Sequence, residues 1–200
     1  MADLTSKAWD RKYLEGGDRW NLSSPAPPFV NCLNSSLAPK PGKMAVLGCG
    51  TGYDAMLFAE SGFDVTGFDF ASSAIARATK TARAKKLDLE FLQRNIFELE
   101  PELHHSFDYV LEHTCFCAID PKLRSQYVEV VKDLLVPSGQ LIALFYTHPN
   151  IDGPPFGAAP AEIIDYFSPY FDVVLFEPAL DSAPRSQGKE HLAIFKKRSL

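Results

Sequence analysis

The sequence predicts an α/β fold: a doubly wound, mostly parallel sheet with helices on both faces and an antiparallel strand at the C-terminal end. Three observations carry this. Short apolar runs alternate with helical segments between Met44 and Tyr146, the pattern of strands buried between helical layers. The first strand-to-helix connection reads Gly48-Cys49-Gly50-Thr51-Gly52, a turn that lets backbone bend sharply and approach a ligand. The last two apolar runs, 171–176 and 191–196, are joined by a Pro/Ser/Gly-containing linker too short for a crossover helix, which predicts an antiparallel pair.

The elements follow in order. Leu4, Ala8, Trp9, Tyr13 and Leu14 fall on one face of a helix over 4–15, which Gly16-Gly17 ends. A loop over 18–29 carries Trp20 and three prolines, and a short helical segment from Val30 to Leu37 is broken by Pro39 and Pro41. Residues 44–47 form the first strand, 54–61 a helix stopped by Gly62, and 63–68 a second strand with Asp69 at its end. A helix over 71–85, strands over 89–93 and 107–111, and a helix from Pro121 to about Leu135 come next. Pro137-Ser138-Gly139 reads as a turn before a fifth strand over 140–146. A Gly/Pro-rich loop over 148–160 and a helix over 161–167 lead into the closing strand pair. No repeat or internal linker interrupts this order, so one domain is expected over 1–200.

Composition narrows the function. The 200 residues suit one core. The net charge of −5 and the lack of a long basic stripe argue against a nucleic-acid partner. The densest basic stretch, Lys80 to Lys86, reads as the solvated end of a helix. No apolar run spans a membrane and no signal peptide is visible. Cys32, Cys49, Cys115 and Cys117 show neither zinc nor redox spacing, and Cys49, Cys115 and Cys117 read as small buried residues, so a reduced cytoplasmic home is expected; the compact size and charge suit a monomer.

The chemistry gathers at the glycine turn. In an open α/β sheet that turn lies at the carboxyl edge of the strands, where nucleotide-like ligands bind. Asp69 ends the second strand 19 residues after Gly50, and a carboxylate there can accept both hydroxyls of a ribose. Asp54 follows the turn closely; it either faces a ligand's ammonium group or serves the helix N-terminus. A nicotinamide dehydrogenase is the rival. Against it stand the GxGxG spacing, which suits a ligand without a pyrophosphate, and the lack of a following substrate domain.

With these residues in view, the chain resembles class I S-adenosylmethionine-dependent methyltransferases, a Rossmann-like group. More narrowly it is similar to the thiopurine methyltransferase family, in particular its thiol and halide branch. Val46 stands where many class I enzymes have an acid, and Asp54 follows the turn as in that branch. Asp18-Arg19-Trp20-Asn21-Leu22 with Pro25 resembles the branch's N-terminal cap, which implies that residues 1–40 cover the cofactor. Residues 112–119, from Glu112 to Ile119, resemble the segment bordering the transferring methyl. Gly153-Pro154-Pro155-Phe156 resembles a lid, and Arg185, Gly188 and Glu190 echo a C-terminal pattern of the group. Asn95 replaces the family's usual Asp, and His113 stands where plant halide enzymes have tyrosine.

The resemblance implies S-adenosylmethionine as cofactor and S-adenosylhomocysteine as product. It implies cofactor contacts from Trp20, Gly48, Gly50, Gly52, Asp54, Asp69, Asn95, Ile96 and Glu112. Trp20, His113, Phe116, Tyr146 and Phe156 are the expected substrate pocket, with His113 and Tyr146 at the chemistry. A neutral His113 would take a proton from a thiol. No metal site is expected. The implied reaction is methyl transfer to a small soft nucleophile: a thiol, hydrosulfide or halide. Another small acceptor (oxygen, nitrogen, selenium or tellurium) and a non-catalytic cofactor-binding subunit stay open as alternatives.

Overall fold

The computed structural model describes residues 3–149 and 152–199. Its sheet is built around β1 (Lys43–Leu47), whose residues from Met44 onward are all buried. A strand buried on both faces needs parallel neighbours with helices above and below. β1 pairs in parallel with β2 (Asp64–Asp69) on one side and β4 (Phe107–His113) on the other. β3 (Glu90–Gln93) extends the β2 side, and β5 (Leu135–Tyr146) the β4 side. β7 (Glu190–Lys197) lies antiparallel between β5 and the edge strand β6 (Phe171–Pro178). The order is β3-β2-β1-β4-β5-β7-β6, so the predicted fold class and the closing antiparallel pair both hold.

The order reverses between β1 and β4, which opens a crevice at their carboxyl ends. α3 (Tyr53–Glu60) and α4 (Ser72–Lys85) begin there, directly after β1 and β2. α4 buries Ala74, Ala78 and Ala82, a small-residue stripe at i, i+4, i+8 that brings the helix close to the sheet. Gly52 sits under it with φ +78°; a Cβ there would lie 2.5 Å from the Phe91 ring and 3.0 Å from Ala78. Gly52→Ala is therefore expected to destabilise the fold by about 2 kcal/mol, from left-handed backbone strain plus overpacking. Urea unfolding measures this; an unchanged midpoint would show that the turn relaxes freely.

On the other side, α5 (Arg124–Leu134) and α6 (Pro160–Phe167) cover β4 and β5. α1 (Ser6–Leu14) is capped by Thr5, whose side chain accepts from the Ala8 N–H. It packs on α4: Asp10 accepts from the Ser73 N–H and from both the Ser72 and Ser73 hydroxyls. Among the described residues no helix is long and apolar enough to cross a membrane.

Three local expectations give way. α2 spans Pro27–Leu33, so two of the loop's prolines open a helix at its first positions, where no N–H is needed. Leu14 is 74% exposed; α1 buries Ala8 and Tyr13 instead. The turn signal Pro137-Ser138-Gly139 lies inside β5, not before it. Leu135 already pairs with Phe107, and a register shift before Tyr109 absorbs the extra residues, with Ser138 at φ +64°. The basic run from Lys80 does end α4, and Lys85 pairs with Glu60.

Candidate active site

The crevice at the switch point is a cavity of about 920 Å³. Its floor is the glycine turn. Gly48, Gly50 and Gly52 all have positive φ, so the loop follows a path that residues with a Cβ adopt at a cost. Asp69, only 6% exposed, anchors the loop: one carboxylate oxygen accepts from the Gly50 N–H and the other from the Ala71 N–H, each at 2.9 Å. Burial pushes its carboxyl above the usual carboxylate range, against the pull of those N–H bonds. Each oxygen keeps a lone pair for a further donor. Asn95 and Ile96 line the same end; the Asn95 side chain caps the short 3₁₀ turn Ile96–Glu98 by accepting from the Phe97 N–H. This donor and acceptor set fits the adenosine portion of S-adenosylmethionine.

The N-terminal segment forms one wall. Trp20 lies edge-on to Trp9 (5.1 Å) and Tyr13 (5.5 Å), and its Nε1 donates to the Tyr13 hydroxyl at 3.2 Å. That hydroxyl is 3.0 Å from where a Cβ on Gly50 would stand, so the aromatic cluster sits directly on the loop. Asn21 accepts from the Thr51 hydroxyl, the Ala26 N–H donates to Asp54, and Arg185 donates to the Trp20 carbonyl. The last of these comes from the segment between β6 and β7, so chain from both ends closes on one side of the cavity.

The far end holds three ionisable side chains. His113, the last residue of β4, shares its Nδ1 proton with Asp54 at 2.7 Å. Its Nε2 lies 3.9 Å from Glu190. Burial works against the charged ring, but Asp54 and then Glu190 outweigh it, and the His113 pKa rises from 6.5 to about 10. The two carboxylates thus favour the imidazolium form of the ring, whereas the sequence predicts a neutral base. A cation whose pKa is higher folded than unfolded stabilises the fold fully below its unfolded pKa. That contribution is lost progressively as pH rises from about 6.5 through about 10. We expect the stability gap between wild type and His113→Gln to narrow across this window. Urea midpoints of both proteins check it, and a gap independent of pH would show that the ring is neutral.

Of the other residues named from sequence, Gly48, Gly50, Gly52, Asp54, Trp20 and Tyr146 border the cavity. Three depart from expectation. Glu112 is buried on the opposite face of β4 from His113, because successive strand residues point to opposite faces. It accepts from the Tyr127 hydroxyl and the Phe116 N–H, and burial pushes its pKa up to about 7. Phe116 is core, packed edge-on against Tyr127, Phe145 and Tyr166. Phe156 stands outside the lining; its N–H donates to the Cys117 carbonyl while Pro154 and Pro155 form the wall. Cys49, Cys115 and Cys117, read as small buried residues, also face the cavity, and burial raises all three thiols. Tyr13, Arg185 and Glu190 were not placed in the site from sequence. Glu190 appeared only as part of a C-terminal pattern, and nothing local ties it to His113, 77 residues away.

Comparison with known proteins agrees with this geometry. The family model for thiopurine S-methyltransferase matches residues 4–198. A thiocyanate methyltransferase of Brassica oleracea is 31% identical, over 94% of this chain and 84% of its own length. A probable thiol methyltransferase of Arabidopsis thaliana is 30% identical, over 100% and 88%. A Burkholderia thailandensis 1,6-didemethyltoxoflavin N1-methyltransferase, solved with its substrate and S-adenosylhomocysteine, superposes with a TM-score of 0.80 at 19% identity, over 98% and 88% of the two chains.

Proposed function

The chain belongs to the thiopurine S-methyltransferase family and is an S-adenosylmethionine-dependent methyltransferase; from that premise we propose that its acceptor is a small soft nucleophile, a thiol or hydrosulfide foremost. The observation that carries this is the lining of the cavity. A buried carboxylate and a glycine loop line one part of it, and His113, Tyr146 and Glu190 line another.

When bound, S-adenosylmethionine supplies a methyl carbon activated by a sulfonium. Asp69 and the glycine turn would hold the nucleoside, with Asn95 and Ile96 at the adenine. Trp20 and Tyr13 exclude water, and their rings favour a cationic sulfur beside them. Pro154 and Pro155 narrow the acceptor end, so nucleophile and methyl meet with little solvent between them. The His113 imidazolium keeps an Nε2–H directed at the acceptor, held by Asp54 behind it. Tyr146 lies across the β5–β7 ladder from Glu190 and completes the wall. In this reading residues 1–40 are a cap over the cofactor, and the protein acts as a cytoplasmic monomer on a small molecule.

Isothermal titration with S-adenosylhomocysteine, then a headspace assay with hydrosulfide, methanethiol and iodide, tests the proposal. Binding together with volatile methyl sulfide is expected. Binding without methylation of any sulfur acceptor would overturn the acceptor assignment.

A further inference from the structure

Glu190 is the least explained group in the cavity. Its side chain is 3% exposed and borders the acceptor end of the cavity. Its nearest cation is His113 Nε2, at 3.9 Å. That is too long for a hydrogen bond. It is short enough for one atom to rest against both groups at once. A thiol suits the gap: its sulfur accepts from Nε2–H while its S–H donates to the carboxylate. The backbone fixes both sides. Glu190 starts β7 opposite Tyr146, and His113 ends β4 with its other nitrogen locked on Asp54.

Resting on the methyltransferase reading, we propose that Glu190 is the proton acceptor of the reaction and that the substrate enters as a neutral thiol rather than a preformed anion. The S–H bond breaks and its proton passes to Glu190 Oε1. The sulfur's freed pair forms the new S–CH₃ bond while the bond from methyl to the donor's sulfonium sulfur breaks, returning its pair to that sulfur. His113 stabilises negative charge developing on the acceptor and keeps its own proton throughout. The charge balance selects the same class. Asp54 and Glu190 face one imidazolium, so a preformed anion entering the gap meets a carboxylate at close range, which disfavours it; of the sulfide species, neutral hydrogen sulfide rather than hydrosulfide is the form that enters.

Two measurements test this, each alongside S-adenosylhomocysteine titration to verify the fold. In wild type, kcat/KM for an arylthiol is expected to fall as pH rises through the thiol's own ionisation, because the neutral form is consumed. The charged and titratable groups around Glu190 are His113 with Asp54 behind it, Tyr146 across the β5–β7 pair, Cys117, Arg185 in the cavity lining, and its chain neighbours Lys189 and His191; burial lowers the His191 pKa, and the His113 pKa is raised to about 10. A rate that rises with thiolate concentration overturns the proposal. In Glu190→Gln, kcat/KM for an alkyl thiol is expected to drop on the order of 100-fold, far more than for iodide, with partial recovery in Glu190→Asp. Equal losses on both acceptors also overturn it. A wild type that methylates only iodide or arylthiolate sinks this inference but leaves the methyltransferase standing. Failure to bind S-adenosylhomocysteine would remove both.

Discussion

Asp69→Ala is expected to weaken S-adenosylhomocysteine binding by about a thousand-fold. The carboxylate is buried at the carboxyl end of β2, with both oxygens already drawn to backbone N–H groups and a lone pair left on each. Two charge-assisted bonds to vicinal hydroxyls contribute about 4 kcal/mol together, which is the expected loss. The Gly50 N–H loses its partner as well, so the loop itself loosens. Asp69→Asn should fall between, since the amide keeps one acceptor but presents a donor to the second position. Titration calorimetry on wild type and both variants decides it. A loss below ten-fold for Asp69→Ala would mean that the ribose is held elsewhere. Since burial raises the carboxyl's pKa, wild-type affinity should also fall on acidification sooner than for an exposed aspartate.

Arg124→Met should cost about 3 kcal/mol of stability and raise KM for the acceptor while leaving S-adenosylhomocysteine affinity nearly unchanged. Arg124 opens α5 and is 2% exposed. It donates to Glu162 of α6 at 2.9 Å, to the carbonyls of Phe156 and Gly157, and lies 4.9 Å over the Phe116 ring. Methionine replaces most of the stem's volume but none of these bonds. The exposed half of Glu162 can turn to water, whereas the two carbonyls lose charged donors, which accounts for the estimate. Those carbonyls follow directly on Pro154 and Pro155, so the acceptor wall moves when they are released. Urea unfolding and initial-rate kinetics report the two parts separately. A stable variant with unchanged KM would show that this segment is held without the arginine.

Local chemistry makes much of this protein legible in its sequence. Strand and helix alternate with distinct apolar periods, and those periods are written over a few residues. The glycine turn and Asp69 are equally local, because a sharp strand-to-helix turn and a carboxylate at the next strand's end lie 19 residues apart in sequence. What stayed hidden depended on distant pairing. Pro137-Ser138-Gly139 has turn chemistry, but pairing of Leu135 with Phe107 draws it into a strand as a bulge. Glu112 and His113 are neighbours of similar polarity, and only the extension of β4 through His113 sends one into the core and the other into the cavity. The charge on His113 follows from Asp54 and Glu190, which come from α3 and β7 and meet β4 only through the sheet order. Phe116 and Phe156 carry the same apolar signal as any pocket residue, so the packing of α5 and α6 had to decide their place. Periodicity records which face of an element is buried; the tertiary fold alone determines which buried groups share a low-dielectric cavity, and so which of them hold charge.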